Sequence, residues 1–268
     1  MSDLSSAIVL GIVEGLTEYL PVSSTGHLII AGEYLGFTGE RASTFEIFIQ
    51  LGAILAVVVI YFKRFTDLFF FSGTVQGLKG WDGIAKIGAA CLPAFVLGAV
   101  LHGYIKTHLF SPLSVGFALI IGGVLLILIE RREARAVTTD VESLTLRQAV
   151  SIGLFQCLAL WPGVSRAGAT IAGGMLSGCS RSVAAEFSFL VAVPIMCAAV
   201  SYDLFKSAGA LQFSDLSFFG VGFVVAFVTA LFAIKWFIGI VNRITLVPFG
   251  VYRILFGILV LWWVRLSV

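Results

Sequence analysis

Two glutamates stand four residues apart in an otherwise apolar stretch, Glu14 and Glu18 in GIVEGLTEYL. On a helix that spacing puts both carboxylates on one face, where they repel unless a proton or a cation intervenes. Paired carboxylate oxygens suit Mg²⁺ or Ca²⁺, hard cations that often bind through one or two carboxylates and substrate phosphates. Immediately downstream, Pro21-Val-Ser-Ser-Thr-Gly-His27 offers the hydroxyls of Ser23, Ser24 and Thr25, a permissive Gly26 and the imidazole of His27. An apolar helix follows, and the amides and dipole at its start favour a phosphate. In that company His27 reads as a general base, general acid or nucleophile. Viewed alone, it could equally be satisfied by a backbone carbonyl. One of Ser23, Ser24 and Thr25 is expected to cap the following helix. The competing reading of the glutamates, an interfacial helix with both in water, lacks the basic residues such helices usually carry.

A second cluster, Pro162-Gly-Val-Ser-Arg-Ala-Gly-Ala-Thr170, repeats the Pro/Gly break and places Gly163, Ser165, Gly168 and Thr170 at the start of another helix. Here the charge is Arg166, alone between Arg147 and Arg181. A guanidinium can bind phosphate oxygens bidentately and neutralise charge in a transition state. Snorkelling to the interface is the alternative, and a Pro/Gly loop argues against it. One cluster thus presents carboxylates, hydroxyls and imidazole, the other a guanidinium and amides. Phosphoryl transfer requires that combination. Glu46, Gln50 and Glu186 sit where two long apolar runs begin. They either support the site or pair with arginines at the interface, and the second is the simpler reading.

The elements that position these groups follow from composition. Of the 268 residues, 59% are hydrophobic and 12% charged, with a mean hydropathy of +1.05. A soluble domain has roughly 25% charged and 45–50% apolar residues. A soluble fold is excluded, and no polar linker divides the chain, so residues 1–268 read as one membrane domain. A spanning helix needs about 20 apolar residues. Six stretches qualify: Phe45 to Phe62, Ile84 to Leu101, Pro112 to Ile129, Val183 to Phe205, Ser217 to Ile240 and Leu246 to Val264. The short alternating strands of a β-barrel are absent from the pattern. Residues 4–36 and 148–178 are also apolar but are broken midway by LPVSSTGH and WPGVSRAGAT. Broken backbone at membrane depth is tolerated only where protein buries it or a cavity solvates it. Both regions therefore read as re-entrant helix-loop-helix hairpins whose tips line a cavity. Arg131, Arg132 and Arg135, like Lys63 and Arg64, flank apolar runs and mark the cytoplasmic side rather than a nucleic-acid surface. Cys91, Cys157, Cys179 and Cys197 form no CxxC pair and read as free thiols. Residues 1–10 hold Asp3 and no basic residue, which argues against a cleaved signal peptide.

A shift of 142 positions lays Gly11, Leu16, Val22, Ser23, Gly26, Ile29 and Gly32 on Gly153, Leu158, Val164, Ser165, Gly168, Ile171 and Gly174. The register continues to pair Phe45 with Phe187. This predicts two internal repeats, about 4–130 and 148–268, with an odd number of crossings between them, so the second is inverted. The basic residues agree with one threading, Lys106, Lys206 and Arg265 excepted. Inverted repeats with broken helices are also a transporter architecture, so a flippase for a lipid phosphate is the rival expectation.

At these residues the sequence resembles the undecaprenyl pyrophosphate phosphatase family, the bacitracin-resistance proteins. The marks are Glu14-xxx-Glu18, the run ending at His27, and Pro162-Gly-x-Ser-Arg-x-x-x-Thr170. The likeness also covers FEIFIQLGAILAVVV, QCLALWPG and EFSFL. The resemblance implies hydrolysis of undecaprenyl pyrophosphate to its monophosphate and inorganic phosphate, recycling the cell-wall lipid carrier. It implies a divalent cation and a multi-pass protein of the bacterial plasma membrane whose site opens to the outer face. Glu14 and Glu18 would then be catalytic and metal-associated. Ser24 and His27 would supply nucleophile and proton transfer, and Ser165, Arg166 and Thr170 would hold the pyrophosphate. Attack by Ser24, by His27 or by water all stay open, as does monomer or homodimer. The family pattern commonly has serine where this chain has Ala167, which shifts the phosphate grip toward Ser165, Thr170 and backbone amides.

Overall fold

The computed structural model describes residues 3–69, 77–132, 136–207 and 216–267; Arg135 and the Lys206 side chain lie outside the described residues. The described residues form α1 (Asp3–Thr17), α2 (Ser24–Leu35), α3 (Glu40–Ile60), α4 (Phe62–Asp67), α5 (Gly80–His108) and α6 (Pro112–Glu130). These are followed by α7 (Leu146–Gln156), α8 (Arg166–Leu176), α9 (Arg181–Ser207), α10 (Leu216–Ile240) and α11 (Val247–Ser267). Six of them, α3, α5, α6, α9, α10 and α11, are long and apolar enough to cross a membrane. The chain is thus an all-helical, multi-pass membrane protein. The expected spans match, except that α5 begins at Gly80 and runs on to His108. Hydropathy registers only the apolar middle, whereas helical hydrogen bonding carries on through Lys106 and His108 at the end.

The helix ends have local causes. Ser111 accepts from the Ser114 amide while Pro112 occupies the first helical position of α6. Thr145 and Gln148 bond reciprocally at the start of α7. Gly36, left-handed at φ 64°, ends α2, and the next amide, that of Phe37, returns to the Gly32 carbonyl at 2.8 Å. At about 1.5 Å per residue, α1 and α7 reach only about 22 and 16 Å, against a hydrocarbon core of about 30 Å.

At the centre α3 packs on α9, the two most buried of the long helices. Tyr19, Phe187, Phe189 and Phe237 are fully buried in this core. Around it α10 covers α1 and α3, and α7 lies on α5 and α8. α6 and α11 meet through glycines. A Cβ on Gly123 would lie 2.7 Å from the Gly250 carbonyl oxygen, and one on Gly250 would lie 2.8 Å from that of Gly123. Close backbone approach through small residues is how helices associate where lipid removes the hydrophobic drive. The outward faces carry Leu92, Val100, Phe232 and Trp262, all exposed, as a lipid-facing surface does.

Ion pairs gather at one end of the bundle. Arg64 donates to Glu142 and Glu186, and Arg181 to Glu130, which also accepts from the Leu246 amide. That end therefore holds the last turns of α3 and α6, the start of α9 and the start of α11. Cavities of about 250 and 420 Å³ open there, lined by Arg181 and Arg64 respectively. Of its two expected roles, Glu186 takes the pairing with an arginine. The four cysteines are free thiols.

Candidate active site

The first break covers residues 18–23, between α1 and α2, and the second covers 161–165, before α8. Each ends in a serine with an unusual backbone. Ser23 and Ser165 both have φ 73° and are the positive-φ residues other than glycine among those described. Each side chain accepts a hydrogen bond from the amide three residues on, Gly26 or Gly168. These serines are the caps of α2 and α8. A left-handed non-glycine residue costs on the order of 1–3 kcal/mol and collects at functional sites. The caps use the Gly26 and Gly168 amides, and the two amides before each, at the very start of the helix, have no partner within it, which is the usual setting for an anion.

The two breaks meet through side chains. Arg166 Nη2 donates to Glu18 Oε1 at 3.2 Å, joining residues far apart in sequence, and Ser24 Oγ donates to Glu18 Oε2. The ion pair is buried, its side chains 11% and 9% exposed. One carboxylate thus links a hydroxyl from the first break to the guanidinium of the second. Arg166 is otherwise held by the Ser188 carbonyl at 3.1 Å and by the Tyr19 ring beneath its charge. Tyr19 is itself fixed by donating to the Ala53 carbonyl. The Arg166 Nε is buried and unpartnered, so the guanidinium retains an unspent donor.

Glu14 is fully buried and neither of its oxygens has a partner. The charged groups acting on it are Glu18, Glu46 and Arg166. An unpaired buried carboxylate is very costly. The position therefore suits a proton or a cation, and the chemistry of a carboxylate there is that of a ligand for a hard cation such as Mg²⁺ or Ca²⁺. No cluster of three or more potential metal-ligating side chains occurs among the described residues. The remaining ligands would have to be phosphate oxygens and water, as hard cations accept.

His27 has different company. Its Nδ1 lies 2.7 Å from the Ser23 carbonyl and its Nε2 2.6 Å from Tyr252 Oη. A carbonyl only accepts, so Nδ1 carries the proton and Nε2 accepts from the tyrosine hydroxyl. The ring is stacked on Phe256. Thr170 is fully buried behind Arg166, its hydroxyl bonded to the Arg166 carbonyl and 2.6 Å from Ser188 Oγ. Thr25 is half-buried and Gly163, at φ 102°, makes the turn. Ala167 is packed in the apolar core. Four participants escaped the sequence reading: Tyr19, Ser188, Tyr252 and Arg253. Two of them left a signal: the 142-residue register pairs Ser188 with Glu46, and Arg253 is a charge inside the last apolar span.

Residues 7–259 match the family described as bacitracin resistance protein BacA. The chain belongs to the BacA family. A protein of Desulfovibrio desulfuricans named undecaprenyl-diphosphatase is 51% identical over 255 residues, 95% of this chain and 96% of its own. Proteins of the same name from Maridesulfovibrio salexigens and Nitratidesulfovibrio vulgaris are 51% identical over 261 residues and 54% over 254. They cover 97% and 95% of this BacA-family chain, and 98% and 96% of their own lengths. The likeness therefore runs through both breaks and all six long helices.

Proposed function

We propose that this chain hydrolyses undecaprenyl pyrophosphate to undecaprenyl phosphate and inorganic phosphate, with Ser24, Glu18 and Arg166 as the working group. The observation that carries this reading is the Ser24–Glu18–Arg166 connection between two broken helices, in a chain more than half identical to proteins named undecaprenyl-diphosphatase. A hydroxyl bonded to a base that a third group orients is the arrangement of an activated nucleophile. The prenyl chain stays among the lipids while the pyrophosphate takes over the Arg166 donors and the first amides of α2 and α8, those of Ser24 and Thr25 and of Arg166 and Ala167, between the capping residues Ser23 and Gly26 and the turn residues Gly163 to Gly168. Ser24 Oγ attacks the terminal phosphorus as its proton passes to Glu18. The bond to the bridging oxygen breaks, Glu18 passes that proton to the departing oxygen, and undecaprenyl phosphate leaves with Glu18 again ionised. Water then displaces phosphate from the serine, with Glu18 receiving a proton from the water and returning one to Ser24. Arg166 and the helix amides offset the charge on the equatorial oxygens. A divalent cation at Glu14 and Glu18 would supply charge neutralisation for the phosphates.

The same reading treats α1–α2 and α7–α8 as re-entrant hairpins of two inverted repeats, about 4–130 and 148–268, in one membrane domain. Support comes from helices too short to cross, from Ser23 and Ser165 sharing one backbone conformation, and from Lys63, Arg64 and Arg181 gathered near one end. Taking that end as cytoplasmic opens the site to the outer face of the bacterial plasma membrane.

The test is phosphate release from undecaprenyl or farnesyl pyrophosphate by purified protein in detergent. Release is expected with Mg²⁺ or Ca²⁺, lost with chelator and restored by re-adding the cation. Release that survives chelation removes the cation from this account. No release under any cation removes the phosphatase reading and favours a lipid-phosphate flippase, which the paired broken helices would also serve. A smaller effect is expected at Tyr252. Its hydroxyl holds His27, and one hydrogen bond contributes about 0.5–1.5 kcal/mol net. Tyr252→Phe should therefore lower kcat by about two- to tenfold. An unchanged kcat would show that His27 needs no such support.

A further inference from the structure

Arg253, in α11, is fully buried and pairs with no carboxylate among the described residues. Its guanidinium donates instead to three backbone carbonyls: Nη1 to Pro21 at 3.4 Å, and Nη2 to Ala118 at 3.4 Å and to Gly163 at 3.0 Å. A buried charge is costly, and the usual compensation is an ion pair. Here the charge is carried by carbonyl dipoles, two of which come from the breaks on either side of the candidate site. Pro21 and Gly163 are also partners in the 142-residue register, so one arginine joins equivalent points of the two repeats.

The neighbouring chain is shaped around this group. A Cβ on Gly122 of α6 would lie 2.0 Å from Arg253 Nη2, and one on Gly168 would lie 2.9 Å from Nη1. Any larger residue at Gly122 would drive the guanidinium out of its place. The adjacent Tyr252 reaches the first break from a second direction through His27.

We propose that Arg253 is a positioning residue for the reaction: its fork bridges the Pro21 and Gly163 carbonyls and so fixes the break carrying Glu18 and Ser24 against the break leading to Arg166. The proposal rests on the phosphatase reading above. Lysine cannot replace the fork, because an ammonium is a single point on a flexible stem and cannot span carbonyls from two separate segments. Misplacement of reacting groups by about 1 Å is enough to cost about 10²-fold in rate.

The experiment compares wild type, Arg253→Met, Arg253→Lys and Gly122→Ala in the purified full chain, with folding checked by gel filtration and melting temperature. The probe is farnesyl pyrophosphate with Mg²⁺. Folded Arg253→Lys and Gly122→Ala are expected to lose about 10²-fold in kcat with KM within about threefold. Combined with Arg166→Lys, the Arg253→Lys loss should shrink well below its value in the wild-type background, because alignment matters only while the Arg166 fork is there to be aligned. Should Arg253→Met not fold, the lysine and Gly122 variants carry the test. A kcat within threefold of wild type in the folded variants, or losses that simply multiply with Arg166→Lys, would overturn the proposal while leaving the phosphatase reading intact. A wild type that releases no phosphate removes that reading, and the proposal with it.

Discussion

Ser24→Ala lowers phosphate release by on the order of 10³-fold or more while the protein folds normally, if Ser24 is the attacking group. The hydroxyl is bonded to Glu18 Oε2, so the proton it must lose already has an acceptor. Neither nitrogen of His27 is free for that task, since one donates to the Ser23 carbonyl and the other accepts from Tyr252. Alanine removes the nucleophile and one small donor, and the cap of α2, supplied by Ser23, stays in place. Stability should therefore change little. The measurement is single-turnover phosphate release, with melting temperature as the control for folding. Activity within tenfold of wild type would assign the attack to water or to His27.

Arg166→Lys is expected to reduce kcat by about 10²–10³-fold, although the charge is retained. Arg166 spends Nη2 on Glu18 and Nη1 on the Ser188 carbonyl while its Nε stays unpartnered in a buried setting. A fork of this kind can keep its hold on the protein and still offer donors to phosphate oxygens. Lysine offers one nitrogen, and satisfying Glu18 with it leaves little for the substrate. It also gives up the guanidinium contact over the Tyr19 ring. The variant should respond to phosphate binding as well as to turnover. Titration of inorganic phosphate as a competitive inhibitor is expected to give a Ki raised by about tenfold or more, the equivalent of about one charge-assisted hydrogen bond. An unchanged Ki would place the phosphate elsewhere.

Much of this protein is legible along the chain. Hydropathy alone sets out six spans because a bilayer tolerates polar backbone only inside helices, so length and apolarity are under direct physical constraint. The breaks announce themselves as Pro and Gly within apolar runs. Glu14, Glu18 and Arg166 stand out because charge at that depth is costly and needs a reason. The rest depends on which distant groups touch. That Glu18 serves both Ser24 and Arg166 requires α1, α2 and α8 to converge, and no local pattern encodes a contact across so many residues. In sequence His27 reads as base, acid or nucleophile beside Ser24, and in the fold α11 brings Tyr252 to its second nitrogen. Thr170, expected at the phosphate, is drawn back to Ser188. Arg253 reads in sequence as one more basic residue in the last span. Only packing shows it buried against the Pro21 and Gly163 carbonyls, in space that Gly122 leaves open. Local chemistry therefore determines which residues are costly enough to be functional. Tertiary packing decides their partners, because hydrogen bonds act over about 3 Å in space and separation along the chain does not limit them.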